Sequence, residues 1–113
     1  QVGEVNLVSG ELKVSNTDLL REVGDWLKND LRSGVVILGT VLDGRPSLMI
    51  MATSDMVEQG SHAGNVAREA ARSMDGGGGG TPELGQAGGH DYKKLKDALD
   101  AAEKEVRLWR EKP

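Results

Sequence analysis

The chain has 113 residues, a formal net charge of −4, 16 glycines and no cysteine. A globular unit needs on the order of 100 residues to build a core, so the length predicts a single domain over residues 1–113. The lack of cysteine excludes a disulfide framework, a thiol nucleophile and a cysteine-bound zinc ion. No apolar run approaches the roughly 18 residues that a membrane-spanning helix requires.

These features predict a cytoplasmic protein that has no membrane partner. The chain opens at Gln1, with neither a methionine nor a basic-then-apolar leader, which favours a piece excised from a longer protein. Residues 1–60 hold five Lys/Arg against nine Asp/Glu, whereas residues 61–113 hold nine of each. All of the net negative charge therefore lies in the first half, and the second half is locally basic.

The first elements of the chain are predicted to be a strand and a helix. The segment Val5–Val14 alternates loosely and predicts one bent strand or a short strand pair. Ser15 and Asn16 are residues typical of an N-cap, and apolar residues then recur at helical spacing. The helix is predicted to end at Gly34, since glycine suits the left-handed position after a helix.

The next segment predicts a β-hairpin. Residues 35–42 and 48–52 are apolar or β-branched on consecutive positions, and Asp43-Gly44 between them is typical of a tight turn. Strands that are apolar on consecutive positions are typical of a sheet covered on both faces.

Two further helices are predicted in the second half. Ser61 is the predicted cap of a helix that runs to about Met74, with a buried stripe at Val66, Ala67, Ala70, Ala71 and Met74. Asp91 is the predicted cap of the last helix, whose apolar positions are Leu95, Ala98, Leu99, Ala102, Val106 and Trp109.

The element order predicts an α/β fold: a small mixed-sheet sandwich with three helices and a glycine-rich loop before the C-terminal helix. The first strand, the first helix and the strand beginning at Val35 should form a right-handed parallel crossover, with the hairpin supplying an antiparallel partner.

The most informative stretch is GGGGGTPELGQAGGHD, residues 76–91. Glycine lacks Cβ, so such a run can approach another surface closely and direct several N–H groups the same way. A helix N-terminus follows, which is a favourable site for phosphate, and basic residues stand on both sides. The candidate nucleic-acid-binding residues are Gly76, Gly77, Gly78, Gly79, Gly80, Gln86, Gly88, Gly89, Arg68, Arg72, Lys93, Lys94 and Lys96.

Each of these features also has a simpler interpretation. A glycine run is often a flexible linker, and ordering it costs backbone entropy. Asp91 as a helix cap would compete with an anion for the same N–H groups, and the lysines would form a solvated helix face. The pattern matches neither the Walker loop nor the dinucleotide fingerprint, because no lysine follows the glycines and no strand leads directly into them.

No catalytic or metal-ligating residue is predicted. His62 and His90 lie far apart in sequence, and no third ligand is evident near either. The many carboxylates resemble caps and helix surface rather than a converging pair, and there is no nucleophile elbow. The domain by itself is therefore predicted to be neither an enzyme nor the holder of a cofactor.

The chain resembles the C-terminal domain of alanyl-tRNA synthetase, which in diverged form is also attached to phosphoesterases of the DHH superfamily. The similarity covers about residues 4–100. It is carried by Ser33-Gly34-Val35-Val36-Ile37-Leu38-Gly39, by Asp43-Gly44 leading into Ser47-Leu48, by His62-Ala63-Gly64 and by GGGGGTPELGQAGG.

The resemblance implies a non-catalytic tRNA-binding appendage of an ATP-dependent alanine–tRNA ligase. In that family the domain contacts the outer corner of tRNA(Ala), where the D and T loops meet, and links aminoacylation with editing. The expected partners are tRNA(Ala) and the other domains of the parent synthetase. Thr81 stands where bacterial members usually have arginine, and Gly85 replaces a usual alanine. Contact with phosphate would then depend on backbone N–H groups rather than on a guanidinium.

Two other functions stay open. The domain could be a protein–protein or dimerisation module of the parent enzyme, with self-association through the helix from Tyr92 to Trp109. Alternatively it could be the substrate-binding domain of a DHH-type phosphoesterase, although those proteins have a histidine where Thr81 stands.

Overall fold

A computed structural model describes the backbone of residues 6–111 and the side chains of residues 6–108. The elements, in chain order, are β1 (Leu7–Glu11), α1 (Thr17–Leu31), β2 (Val35–Leu42), β3 (Arg45–Ala52), α2 (Ser54–Glu58), α3 (Ala63–Arg72), β4 (Gly77–Gly80), β5 (Leu84–Gly88), a 3₁₀ turn (Tyr92–Lys94) and α4 (Leu95–Glu111). The strands form one sheet in the order β1-β2-β3-β5-β4.

The mixed α/β class is confirmed. β1 and β2 are parallel and joined by α1, whereas every other pair in the sheet is antiparallel. The described part of the chain contains four α-helices rather than three. None of its helices combines the length and the apolar character that crossing a bilayer requires.

The first strand and the first helix form as predicted, with different limits. β1 begins at Leu7, and Val5 lies outside the described residues. Asn16 is the N-cap, and its side-chain oxygen accepts a hydrogen bond from the Leu19 N–H at 2.9 Å. The predicted end at Gly34 is wrong.

That helix stops at Leu31, because Arg32 has already left the helical region, with φ 66° and ψ −45°. The Arg32 N–H then bonds to the Lys28 carbonyl at 3.1 Å. Gly34, at φ 151°, instead carries the chain into β2.

The β2–β3 hairpin is confirmed. Asp43 and Gly44 have φ values of 51° and 77°, as a type I′ turn requires. β3 begins at Arg45, earlier than the predicted Leu48, because Pro46 pairs with Val41 in the ladder. Six consecutive residues of β2, Val35–Thr40, are buried, which confirms that the strand is covered on both faces.

The chain after β3 differs more from the prediction. The short helix α2 was not predicted, and α3 begins after His62 rather than at Ser61. His62 is its N-cap, since Nδ1 accepts a hydrogen bond from the Asn65 N–H at 3.1 Å. Asp91 is a cap as predicted, but it caps the 3₁₀ turn that precedes α4.

The glycine-rich loop is a strand hairpin. Residues 77–80 form β4 at the edge of the sheet, and residues 84–88 form β5 between β4 and β3. Neither strand was predicted, because glycines carry no hydrophobic alternation from which a strand could be recognised.

Two hydrophobic cores lie on opposite faces of the sheet. One face packs on α3 and α4 and includes the whole predicted stripe of α3, with Val66, Ala67, Ala70, Ala71 and Met74 all buried. The predicted positions of α4 are buried there too, at Leu95, Ala98, Leu99, Ala102 and Val106, whereas the Trp109 side chain is outside the described residues. The other face packs on α1 through Leu20, Val36, Leu38, Met49 and Met51.

Candidate nucleic-acid interface

The glycine strand β4 is the outer edge of the sheet. Which of its main-chain N–H and C=O groups are free depends on which residues hydrogen-bond to β5. On β5, the Glu83 carbonyl accepts from the Ala52 N–H at 3.0 Å, and the Gly89 N–H donates to the Pro46 carbonyl at 3.1 Å. Odd-numbered residues of this segment therefore bond to β3. The even-numbered residues Leu84, Gln86 and Gly88 face β4 instead.

The same alternation applies to β4. The Thr81 N–H donates to the Leu84 carbonyl at 2.9 Å, and Gly79 and Gly77 oppose Gln86 and Gly88. Because bonded and unbonded positions alternate along an antiparallel strand, the N–H and C=O groups of Gly78 and Gly80 point away from β5. The free edge of the sheet thus presents the main-chain donor and acceptor of Gly78, whereas the main chain of Gly80 lies against Gly64 of α3.

One side of the glycine hairpin is in main-chain contact with α3. A Cβ on Gly78 would lie 2.7 Å from the Ala67 carbonyl oxygen, and one on Gly64 would lie 2.5 Å from the Gly80 oxygen. A Cβ on Gly85 would lie 2.2 Å from the Ala63 oxygen. These glycines are required by the fold, since any side chain there would push the helix off the strands.

The first turn of α3 is bonded to the turn that joins β4 and β5. The N–H groups of Ala63 and Gly64 each donate at 2.9 Å, to the carbonyls of Pro82 and Thr81. The Thr81 hydroxyl also accepts from the Leu84 N–H at 3.2 Å. This helix end is therefore satisfied within the molecule, and Thr81 stabilises the turn.

The other side of the hairpin, here called the bare face, consists of Gly77, Gly79 and Gly88 around Gln86. A Cβ on Gly77 would meet nothing within 4 Å. The same atom on Gly79 would have only the Arg68 Nη2 nearby at 3.8 Å, and on Gly88 only the Pro46 oxygen at 3.8 Å. Gln86 is exposed. Steric fit within the domain does not require glycine at these three positions.

A shallow cavity of about 280 Å³ lies between the bare face and the start of α1. It is lined by Thr17, Leu20, Ser47, Leu48, Met49, Gly77, Gln86, Ala87 and Gly88, none of which is charged. The sequence singled out only its three glycine-hairpin members Gly77, Gln86 and Gly88. Ser47 and Met49 come from β3 and Thr17 and Leu20 from α1, and nothing in their local sequence marks them as neighbours of the glycines.

The two predicted arginines lie on α3. The guanidinium of Arg68 reaches the bare face at Gly79 and donates to Asn65 Oδ1 at 2.9 Å. Arg72 is exposed and forms an ion pair with Glu69 at 3.3 Å. The structure therefore brings Arg68 to the glycine strand and leaves Arg72 one turn further along the same helix.

The three predicted lysines lie near the 3₁₀ turn and the start of α4. Lys94 Nζ bonds to Asp75 Oδ2 at 2.7 Å, just before the glycine run. The hydrogen bond and the charge of Lys94 lower the pKa of Asp75. Lys93 and Lys96 are exposed.

The N-terminus of the last helical segment, where phosphate binding was predicted, is capped by a carboxylate. Asp91 Oδ1 accepts from the Lys93 N–H at 3.0 Å. The glycine run does not lead into this end, because β5 intervenes. Two more of the predicted residues have roles in the fold: Gly89 is buried, with a Cβ position 2.5 Å from Met74 Cβ, and a Cβ on Gly76 would lie 1.8 Å from the Gly88 oxygen.

Neither histidine lies in a cluster of possible metal ligands among the described residues. His62 caps α3 and His90 is exposed in the segment that follows β5. Among residues 6–108, no group of three His, Asp or Glu side chains is placed to hold a metal ion.

Together these features define a small mixed-sheet α/β domain whose edge hairpin presents main chain instead of side chains. The chain belongs to the DHHA1 domain family, whose model matches residues 4–108. The resemblance noted in the sequence is confirmed by its relatives.

An alanine–tRNA ligase of Acetivibrio thermocellus is 44% identical over 106 residues, which is 94% of this chain and 12% of that protein. One from a Roseiflexus species is 42% identical over 99 residues, 88% of this chain and 11% of that protein. The chain thus spans about an eighth of the length of these relatives. The crystal structure of the C-Ala domain from Aquifex aeolicus alanyl-tRNA synthetase has the same fold, with a TM-score of 0.81 at 24% identity over 95% of this chain and 96% of that one.

Proposed function

We propose that this domain is a non-catalytic appendage of an alanine–tRNA ligase and that it contacts the elbow of tRNA(Ala). The observation that carries the proposal is the glycine edge strand, which leaves the main-chain groups of Gly78 free and passes beside Arg68. The choice of tRNA as the nucleic acid rests on the relatives, which are named as alanine–tRNA ligases. In the cytoplasm, the appendage would link aminoacylation with editing by holding the tRNA against the other domains of the parent, and it would need no cofactor.

Recognition by such an edge would depend on shape. The N–H group of Gly78 can donate to phosphate and 2′-hydroxyl oxygens, and a strand without Cβ lets the RNA backbone come close. Arg68 and Arg72 add positive charge on one side of the strand, and Lys93, Lys94 and Lys96 add it near the other end. An A-form helix hides its major-groove base edges, so a backbone reader of this kind suits a folded RNA corner.

The isolated domain should bind weakly. Its net charge of −4 opposes non-specific attraction to RNA, and two of the five basic residues are already paired, Arg72 with Glu69 and Lys94 with Asp75. Affinity for tRNA should therefore fall steeply with salt.

The test is a titration of the domain with tRNA(Ala) and with a variant tRNA in which the contact between the D and T loops is abolished. Equal affinity for both, or no binding even at low salt, would contradict elbow recognition. The double substitution Arg68→Ala with Arg72→Ala should weaken binding about tenfold at low salt and reduce the dependence of affinity on salt.

Arg107→Ala is the matched control. Like Arg72, Arg107 is an exposed arginine paired with a glutamate on its own helix, here Glu103 at 3.6 Å. Glu103 also accepts a hydrogen bond from Ser9 of β1, so Arg107 belongs to the opposite edge of the sheet. Its replacement should leave tRNA affinity unchanged, and an equal loss in both variants would point to charge alone.

A further inference from the structure

We propose that the uncharged cavity beside the bare face accepts one unstacked nucleobase. The inference rests on the proposed function in that RNA is taken as the source of the base. It goes beyond backbone recognition at the sheet edge, because it assigns a second kind of contact to a different surface of the same hairpin.

The first argument is that packing within the domain does not require glycine on the bare face. Gly64, Gly78 and Gly85 must lack a Cβ for α3 to pack, whereas a Cβ on Gly77 would enter open space. Glycine within a strand costs roughly 0.5–1 kcal/mol relative to alanine. Gly77 also has an ordinary strand conformation, so no positive φ explains it. A ligand that must approach the strand closely would explain why glycine stands at this position.

The second argument is the charge of the lining. None of the nine lining residues is charged, so nothing in the cavity would neutralise a phosphate. Another depression, further along α1, is lined by Arg21, Asp25, Lys28 and Glu83 among others, and is therefore the more polar of the two. The uncharged cavity suits a neutral ring whose atoms are mostly apolar.

The third argument is shape. Gly77 and Gly88 are opposed across adjacent strands, and with no side chain on either they leave a flat strip of peptide planes. Leu20 and Met49, both almost fully buried, line the apolar floor, while the Ser47 hydroxyl and the Gln86 amide can bond to the polar edge of a ring. At about 280 Å³ the cavity lies at the small end of ligand sites, which fits one base rather than a whole nucleotide.

The inference is tested by recording amide chemical shifts of the domain during titration with adenosine and with cytidine, and separately with ribose 5-phosphate and inorganic phosphate. The nucleosides should shift the amides of Ser47, Gly77, Gln86 and Gly88, and the two phosphate probes should not. Shifts of the same amides by the phosphate probes, or none with either nucleoside, would overturn the assignment.

Gly77→Val is the blocking variant: a Cβ at this position meets nothing within 4 Å, so the added side chain should occupy the space above the strand. It should weaken nucleoside binding at least about tenfold, the equivalent of 1.4 kcal/mol. Gly10→Val is the matched control: Gly10 lies on the opposite edge strand, β1, and a Cβ there also meets nothing within 4 Å. Unchanged nucleoside binding in Gly77→Val, or equal losses in both variants, would refute the proposal.

The outcome can be separated from that of the proposed function by measuring tRNA affinity with the same proteins. If the wild type binds tRNA but nucleosides do not shift the cavity amides, the base site is wrong and elbow recognition stands. If nucleosides bind at the cavity and tRNA does not bind at all, the base site stands and the proposed function fails.

Discussion

The sheet has two halves that are held together in opposite ways. In the half formed by β1, β2 and β3, buried branched side chains such as Val36 and Ile37 fill the space between the sheet and the helices. In the half formed by β5 and β4, the α3 main chain lies directly on the strand main chain, with Gly64 against Gly80 and Ala63 against Gly85. Packing in the first half depends on side chains that fill the space between sheet and helices. Packing in the second half depends on the absence of side chains, which lets the two main chains meet.

This difference explains why one side of the glycine hairpin is open to a ligand. α1 covers β2 and β3 through Leu20, Val36, Leu38, Met49 and Met51, and its first turn borders the cavity. The bare face, beyond the cavity, has no side chains to fill a core, so its backbone is exposed at Gly77. The glycines of the hairpin therefore have two effects: they let α3 pack closely on one side and leave main chain exposed on the other.

The largest expected effect is in the half built from side chains. Ile37→Ala should lower the free energy of unfolding by about 3 kcal/mol, because Ile37 is fully buried and its removal leaves a cavity. Urea unfolding followed by circular dichroism would measure this. Ile37→Val, which removes one methylene, should cost about 1 kcal/mol. Equal costs for the two variants would mean that the core there relaxes freely.

In the glycine half, adding one methyl group should destabilise. Gly64→Ala places a Cβ 2.5 Å from the Gly80 oxygen, and we expect a loss of about 2 kcal/mol despite the better helix propensity of alanine. The control is Gly24→Ala on α1, where the Cβ would meet the flexible end of Met51 at 2.9 Å. That variant should be close to neutral in the same unfolding experiment. A neutral Gly64→Ala would show that the helix does not need this contact distance.

The smallest expected effect concerns a carboxylate of the first half. The hydroxyls of Ser33 and Thr53 donate to Asp55, and Thr53 in turn accepts from the Gly34 N–H at 3.0 Å. The hydrogen bonds from Ser33 and then Thr53 lower the pKa of Asp55. Because the folded-state pKa is depressed, the stabilisation is present above the ordinary carboxyl pKa and is lost as the pH falls below about 4.

Asp55→Asn should therefore cost about 1 kcal/mol at neutral pH and less in acid, so the stability difference between wild type and variant should shrink as the pH falls. Unfolding midpoints between neutral and acidic pH would measure it. A difference that stays constant with pH would assign the effect to packing rather than to the charge.

The elements that could be predicted from the sequence are those with a local signal. The capped amphipathic helix α1, the Asp43-Gly44 hairpin and the buried stripe of α3 all follow from residue spacing and turn chemistry. The limits were less predictable: α1 ends at Leu31 because the following residue, Arg32, has a positive φ for which there is no clear sequence marker. Ser61 and His62 both stand where a cap of α3 could form, and the sequence does not distinguish them. In the structure the cap is His62.

The candidate site residues were named from the sequence, whereas their arrangement was not predicted. The glycines and Arg68 do lie together, whereas Gly76 and Gly89 are required by internal packing and Lys94 is paired with Asp75. The cavity residues Thr17, Leu20, Ser47 and Met49 could not have been found from the sequence. They become neighbours of Gly77 only through the order of strands in the sheet.

The sequence by itself determined the mixed α/β class, the family and the presence of a stretch without side chains, because periodicity, turn residues and composition are local properties. Only the tertiary structure decided that this stretch is an edge strand with one side closed by α3 and the other open. A glycine run has no preferred conformation of its own, so the helix and strand beside it select one through main-chain contacts and hydrogen bonds.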